Sequence, residues 1–383
     1  NCTSLTTAVI GNGVTSIGHS AFYNCTSLTT AVIGNGVTSI GYFAFYGCTN
    51  LTSVNIPYNV TSIGEQAFRF SNLTSITIPK GIKSIASHTF SGCSNLAYVT
   101  IPDSVVSIDE GAFTGCSSLT SIIIPDSVSS IGDRAFYSCN KIKSIILPDN
   151  LTNIGEYAFW ECDGITEVVI PASVSSIGEG AFAGCEYLEA ITVDSNNTAY
   201  VCEEGVLFNK DKTTLIQYPA NKINTDFIIP NSVTIVGGSA FSSCSSLTSI
   251  TIPDSVTNIG DSAFSGCTKL NFVTIPNSVT SIGSSVFDYC TNLVSVTIPN
   301  SVTNIGDYVF DRCTDFKYVF YSGDEFEWNK ISIGTYNDEL TGSVIHFNST
   351  GHSYDEGVVQ SESTCITDGE TLYTCTCEGC GHS

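Results

Sequence analysis

The sequence predicts a repeat solenoid, and three observations carry the prediction. Twelve Phe residues run from Phe22 to Phe310 in steps of 23, broken by one step of 22 and one of 59. A Cys follows three residues after nearly every Phe, and an apolar segment of the form L-x-x-I-x-I-P opens each unit. A period in this range means that each unit buries its apolar face only against its neighbours, so the chain grows in one dimension.

Residues 116–136 show how one unit works. Leu119, Ile122 and Ile124 fall inward along a short strand, while Ser121 and Ile123 face the other way. Pro125 lacks an N–H and ends pairing, and Asp126 and Ser127 supply turn chemistry before Val128 and Ile131 return inward. Gly132 allows a bend, Ala135 and Phe136 are expected on a helical or 3₁₀ turn with Phe136 plugging the coil, and Cys139 opens the next unit. The segment matches the strand of a leucine-rich repeat. The expected fold is therefore a right-handed leucine-rich-repeat coil, with a parallel β-sheet on the concave face and short turns or 3₁₀ segments on the convex face. Thirteen such strands at about 4.8 Å spacing give a rod of about 60 Å.

Twelve cysteines from Cys2 to Cys313 share one repeat position, with Phe70 expected in that place in the 22-residue unit. Stacked in register, their Cβ atoms would lie about 4.8 Å apart, too far for the roughly 3.8 Å of a disulfide, so they are read as buried free thiols.

The repeats are expected to fill residues 1–321, with a β-hairpin insertion at 194–226. Its strands are read at Gly205 to Phe208 and Thr214 to Tyr218, after a loop at Ser195, Asn196 and Asn197. Residues 322–348 read as a C-terminal cap, with Trp328 as a core plug. Residues 349–383 read as a truncated Cys-containing tail repeat. There Cys365, Cys375, Cys377 and Cys380 lie near His352 and His382, and the single Cys377-x-x-Cys380 knuckle leaves zinc, disulfides and free thiols all open. The start at Asn1-Cys2, inside a repeat, is read as the mark of a piece of a longer protein.

A formal charge of −23 opposes binding to phosphate backbones or anionic lipid, so nucleic acid is not an expected partner. No run of 18 apolar residues is present, and membrane insertion is not expected of this segment. No H-E-x-x-H, G-x-S-x-G or phosphate-cradling glycine pattern occurs, so no catalytic residue, cofactor or metal site is assigned. Binding is expected on the concave sheet, whose outward positions are mostly Ser and Thr. Tyr98, Glu167, Phe272, Tyr318 and Phe320 interrupt them, and Tyr98, Glu167, Phe272 and Tyr318 are the candidate ligand contacts.

The unit I-P-D-S-V-x-S-I-G-x-x-A-F-x-x-C-x-x-L, seen from Ile124 to Ile142, resembles the BspA-type leucine-rich repeat, also called the Treponema pallidum type. Gly11 and Gly34 depart from it in the Pro place. The resemblance implies a secreted or wall-attached bacterial protein that adheres to host matrix proteins or to other cells; a monomer that binds protein or glycan through the concave face or the inserted hairpin is the expectation. The alternative is a non-binding spacer that displays other domains of a longer surface protein.

Overall fold

The structure, a computed structural model, describes residues 2–349. Every coil is built from three segments, and each segment bonds to its neighbours above and below. The first is the long strand. Thr7–Ile10, Thr30–Ile33 and Ser53–Asn55 pair in parallel with Thr7 beside Thr30 and Thr30 beside Ser53. The second is a two-residue strand, seen in the ladder Ser107–Ile108, Ser130–Ile131, Asn153–Ile154 and Ser176–Ile177. Between them the Pro carbonyl accepts the Val N–H of the same turn, as in Val128 to Pro125 at 3.0 Å. The turn Ser then reaches back one coil, Ser127 Oγ donating to Val105 O at 2.6 Å. Hydroxyls here tie coils together.

The third segment differs from the expected helical or 3₁₀ turn. Arg134, Phe136 and Ser138 donate their N–H groups forward to Glu156, Ala158 and Trp160 of the next coil, each at 2.8 Å. The alternate N–H groups of Ala135, Tyr137 and Cys139 fold back on Gly132, Arg134 and Phe136 of their own coil at 3.1–3.3 Å. The strands run the other way, Gly132 donating backward to Ile108 at 2.7 Å. Every N–H from 134 to 139 is thereby paired without a helix. The pattern needs left-handed backbone two residues before and two after the Phe, at Arg134 (φ 53°) and Ser138 (φ 54°). All twelve Phe coils keep both positions left-handed, and 17 of these 24 residues are not Gly.

The Phe rings form one internal stack. Phe90, Phe113, Phe136 and Phe159 lie 5.3–5.5 Å apart and within 10° of parallel. Beside them runs the thiol ladder, in which each Cys donates to the carbonyl of the Phe one coil back. Cys116 to Phe90, Cys139 to Phe113 and Cys162 to Phe136 are 3.1–3.3 Å. Burial pushes the Cys93 thiol up to about 11 and those of Cys139 and Cys185 to about 12. The 22-residue unit corrects one expectation. Ser71, not Phe70, stands in the ladder, buried, with its hydroxyl 3.2 Å from Cys93 Sγ. Phe70 occupies a left-handed convex position (φ 57°), because the missing residue falls after Ser71.

The long-strand sheet is not continuous. At residues 121–124 and 144–147 the alternation persists, with Ile122, Ile124, Ile145 and Leu147 buried, but ladder pairing is lost. Lys143 N to Thr120 O stretches to 3.4 Å, where the equivalent Ala97–Thr74 and Glu189–Thr166 bonds are 2.9 Å. The expected strand at Ile122 to Ile124 is thus an extended rung opened beyond ladder distance.

The insertion holds one strand more than expected. Tyr200–Glu203 pairs with Val206–Asn209, which pairs with Thr214–Gln217, all antiparallel. Thr214–Gln217 then joins Ile235–Val236 in parallel, so the insertion lies within the short-strand sheet. The Tyr200 hydroxyl accepts the Ile177 N–H at 2.8 Å and continues that ladder. Tyr218, 23 residues before Phe241, is a further plug. It is fully buried, stacks on Phe241 at 5.1 Å and donates its N–H to Ala240 at 2.8 Å.

Residues 322–348 form a last irregular coil. Ser332–Ile333 adds to Asn304–Ile305, and Val344–His346 adds to Tyr318–Tyr321. Trp328, at the end of the capped helix Glu325–Trp328, is buried edge-on to Tyr321 at 5.1 Å. No helix among the described residues is long and apolar enough to cross a membrane. Cys365, Cys375, Cys377, Cys380, His352 and His382 lie outside the described residues.

Candidate binding surface

Each long strand turns two side chains outward, which makes two columns along the sheet. Tyr98, Glu167, Phe272 and Tyr318 all stand in the first column, as the alternation requires. Tyr98 is 66% exposed and Glu167 is exposed, three rungs apart or about 14 Å. Phe272 and Tyr318 are half-buried on the far side of the insertion, two rungs from each other. Tyr318 lies 6.0 Å from the His346 ring of the last coil. Phe320 is buried, stacked on His346 at 5.2 Å, because the last coil covers it. The four candidates therefore form two separate pairs.

The second column holds what sequence reasoning passed over. Ile123, Ile146 and Val169 occupy successive rungs and are 84%, 83% and 59% exposed. Thr100 and Thr192 bound them, and Thr fills the same column at 77, 251 and 274. The legible signal was the unbroken apolar run at 122–124, 145–147 and 168–170, where the coils at 76–78, 99–101, 250–252 and 273–275 read I-T-I or V-T-I; elsewhere in the column Val9, Val32 and Ile228 are also exposed. Exposed Asp103, Asp126 and Asp149 follow the strands and give this strip an acidic border. Single exposed apolar residues need no explanation; three contiguous ones on a fixed sheet do.

On the convex side, burial and then the nearby Asp261 and Glu156 raise the Glu179 carboxyl above its ordinary range. Among the described residues no group of His, Cys, Asp or Glu is arranged to hold a metal ion.

The BspA type leucine rich repeat region matches residues 1–120, 106–226 and 218–331. The chain belongs to that family. A leucine rich cell surface protein of Faecalibacterium prausnitzii is similar at 33% identity over 86% of this chain and 82% of its own, with a TM-score of 0.54. A leucine-rich repeat protein of Bacteroides ovatus is similar at 30% identity over 90% and 84%, with a TM-score of 0.56. One of Eubacterium ventriosum, at 23% identity over 92% and 89% and a TM-score of 0.50, shares the fold. No match is found among curated proteins. What matches is a BspA-type repeat and no catalytic family.

Proposed function

We propose that this BspA-type chain is an extracellular binding module that seats a protein ligand on the aliphatic strip of its concave sheet. The observation that carries the reading is the exposed row Ile123, Ile146 and Val169, with Tyr98 at one end and Glu167 beside Val169 in the neighbouring column. Stacked coils hold these side chains at fixed spacing, so a ligand meets a surface already ordered. The Asp103, Asp126 and Asp149 border favours a partner whose apolar row is flanked by basic residues. Host extracellular-matrix proteins and the surface proteins of other cells are the partner classes this reading puts to the test. Extracellular placement is supported by the F. prausnitzii relative, which is described as a cell surface protein. Phe272 and Tyr318 lie beyond the insertion and take no part in this strip.

The test is immobilised matrix proteins and mucin against the purified chain at two salt concentrations. Covering an Ile side chain is worth about 1.5–3 kcal/mol, so Ile146→Ser and Tyr98→Ala should each weaken binding about tenfold or more. Unchanged affinity in both variants for a confirmed ligand removes the strip as the site. Binding to nothing in any form supports the spacer reading.

A further inference from the structure

The convex corner of the first three coils holds a second surface, separate from the sheet. A cleft of about 500 Å³ opens there between Asn24, Thr26, Tyr46, Thr49 and Phe70, over Gly47. Every residue lining it is uncharged, in a chain of net charge −23. Its walls are aromatic: Tyr23 stacks on Tyr46 at 4.9 Å, and Tyr46 meets Phe70 edge-on at 5.6 Å and 86°. Its rim is hydroxyl and amide. In later coils the Thr of this rim is spent on the coil before it, Thr314 Oγ1 donating to Thr291 O at 3.2 Å. Thr26 and Thr49, at the same repeat position, make no such bond, as Thr268 does not, and their hydroxyls stand at the rim.

Phe70 is the sharper sign. It sits in left-handed backbone (φ 57°), in a column of twelve that carries Gly or Ser at seven places, Asn24, Glu161 and Arg312 at three, and an aromatic ring at Phe70 and Tyr289 (φ 59°). A bulky residue there costs backbone strain, and its ring is still 42% exposed. The Arg69 guanidinium lies over the ring 4.8 Å from its centroid, and the rest of the ring stays open to solvent. The ring is fixed nonetheless: it lies against Gly92, where any Cβ would come within 2.3 Å of it.

Fixed aromatic walls, a hydroxyl and amide rim and no charge among the lining residues define the chemistry of the ligand. A pyranose ring has an apolar C–H face to lay on an aromatic ring and a hydroxyl edge to pair with Thr and Asn. We propose that this cleft binds a neutral glycan, independently of the concave strip. The lining residues offer a charged ligand no counter-charge, the nearby Arg69 guanidinium being engaged over the Phe70 ring and with Gln66 Oε1, and a peptide would need backbone partners that the rim does not offer as a ladder.

The experiment uses the full chain on an array of neutral oligosaccharides (cello-, manno- and N-acetyllactosamine series) beside sulfated and sialylated ones. Calorimetry follows on the best neutral ligand. Phe70→Ser restores a residue type that this column already accepts, so the variant keeps its fold, which a thermal melt checks. It should bind about tenfold more weakly or worse. Thr49→Val, which keeps shape and loses the hydroxyl, should also weaken binding, while Ile146→Ser should leave it unchanged. The proposal is overturned if no neutral oligosaccharide binds, if only the charged ones bind, or if Phe70→Ser binds as the wild type does. Loss in Ile146→Ser instead would move the site to the sheet and overturn it equally.

Discussion

Phe136→Ala should cut the solenoid's core in a way that Phe22→Ala does not. Phe136 is fully buried between two parallel rings, Phe113 at 5.4 Å and Phe159 at 5.3 Å. Truncating a buried Phe costs about 3–5 kcal/mol. Of this, two ring pairs at about 0.5–1.5 kcal/mol each contribute about 1–3. Phe22 is half-buried and, among the described residues, stacks on the Phe45 ring alone of the Phe plugs, at 5.0 Å. Its removal should cost about 2 kcal/mol less, since one ring interface and part of the burial are missing. In a one-dimensional array the larger loss falls on two nearest-neighbour interfaces, so Phe136→Ala should uncouple the coils on either side. Urea unfolding should broaden or split. Hydrogen exchange should accelerate first at the Phe136 and Ser138 amides, which bond to Ala158 and Trp160. Equal costs for the two variants, or a uniform loss of protection along the chain, would refute the argument.

Three further expectations follow from the coil. Gly115→Ala should cost about 1–2 kcal/mol by denaturation, because φ is +70° there while no atom lies within 3.4 Å of the new Cβ. Gly92→Ala should cost more, since it adds the Phe70 clash to the same strain (φ +71°). Asp288 is raised from 3.8 to about 6 by burial and then by Asp311, so its native carboxyl holds a proton more tightly than the unfolded one does. As a carboxylate it is destabilising, an effect absent below pH 3.8 and complete above pH 6. Asp288→Asn should therefore raise Tm at pH 7 and leave it unchanged near pH 3.5. The ladder thiols, buried and held protonated, should resist alkylation at pH 8 in the folded chain, while exposed Cys2 and half-buried Cys202 react. Peptide mapping after alkylation decides it, and native labelling at Cys139 or Cys185 would contradict the ladder.

The inward positions were legible in the sequence because every coil repeats the same environment. Phe136, Cys139, Val128 and Ile131 could be placed from the period alone, and all four are buried. Legibility failed where the period slipped or where backbone geometry took over. Phe70 and Ser71 both sit beside a one-residue gap, and only the thiol ladder tells which one faces in. Tyr218 was hidden by 13 extra residues between Phe182 and its own coil, although it stands a full period before Phe241. The convex turn carries left-handed residues as unlike as Arg134, Tyr157 and Glu161, so no Gly signature announces it. At the surface, Ile123 and Ile146 look like core residues, and only their place one residue past an inward position makes them outward.

Two departures from the plain coil share a physical character. The backbone of each coil is paired forward through the turn and backward through the strands, so an outward side chain contributes little to holding the rod. Thr, Ser and Gly are sufficient there, and they fill most of those places. Where Ile123 and Ile146 replace Thr, they stand on the rungs whose ladder has opened at the 3.4 Å Lys143–Thr120 bond. Where Phe70 stands in a place that is most often Gly, it stands on strained left-handed backbone with its ring 42% exposed. Ile123 and Ile146 stay exposed, and Phe70 gains contacts with Tyr46 and Arg69 only at the cost of backbone strain, so burial explains neither choice. Both also fall before the insertion; after it the second column carries one exposed Ile228, then Thr at 251 and 274, and ends under the last coil at Phe320. Recognition is therefore expected from the half that precedes Tyr200–Glu203, and the half that follows serves to carry it.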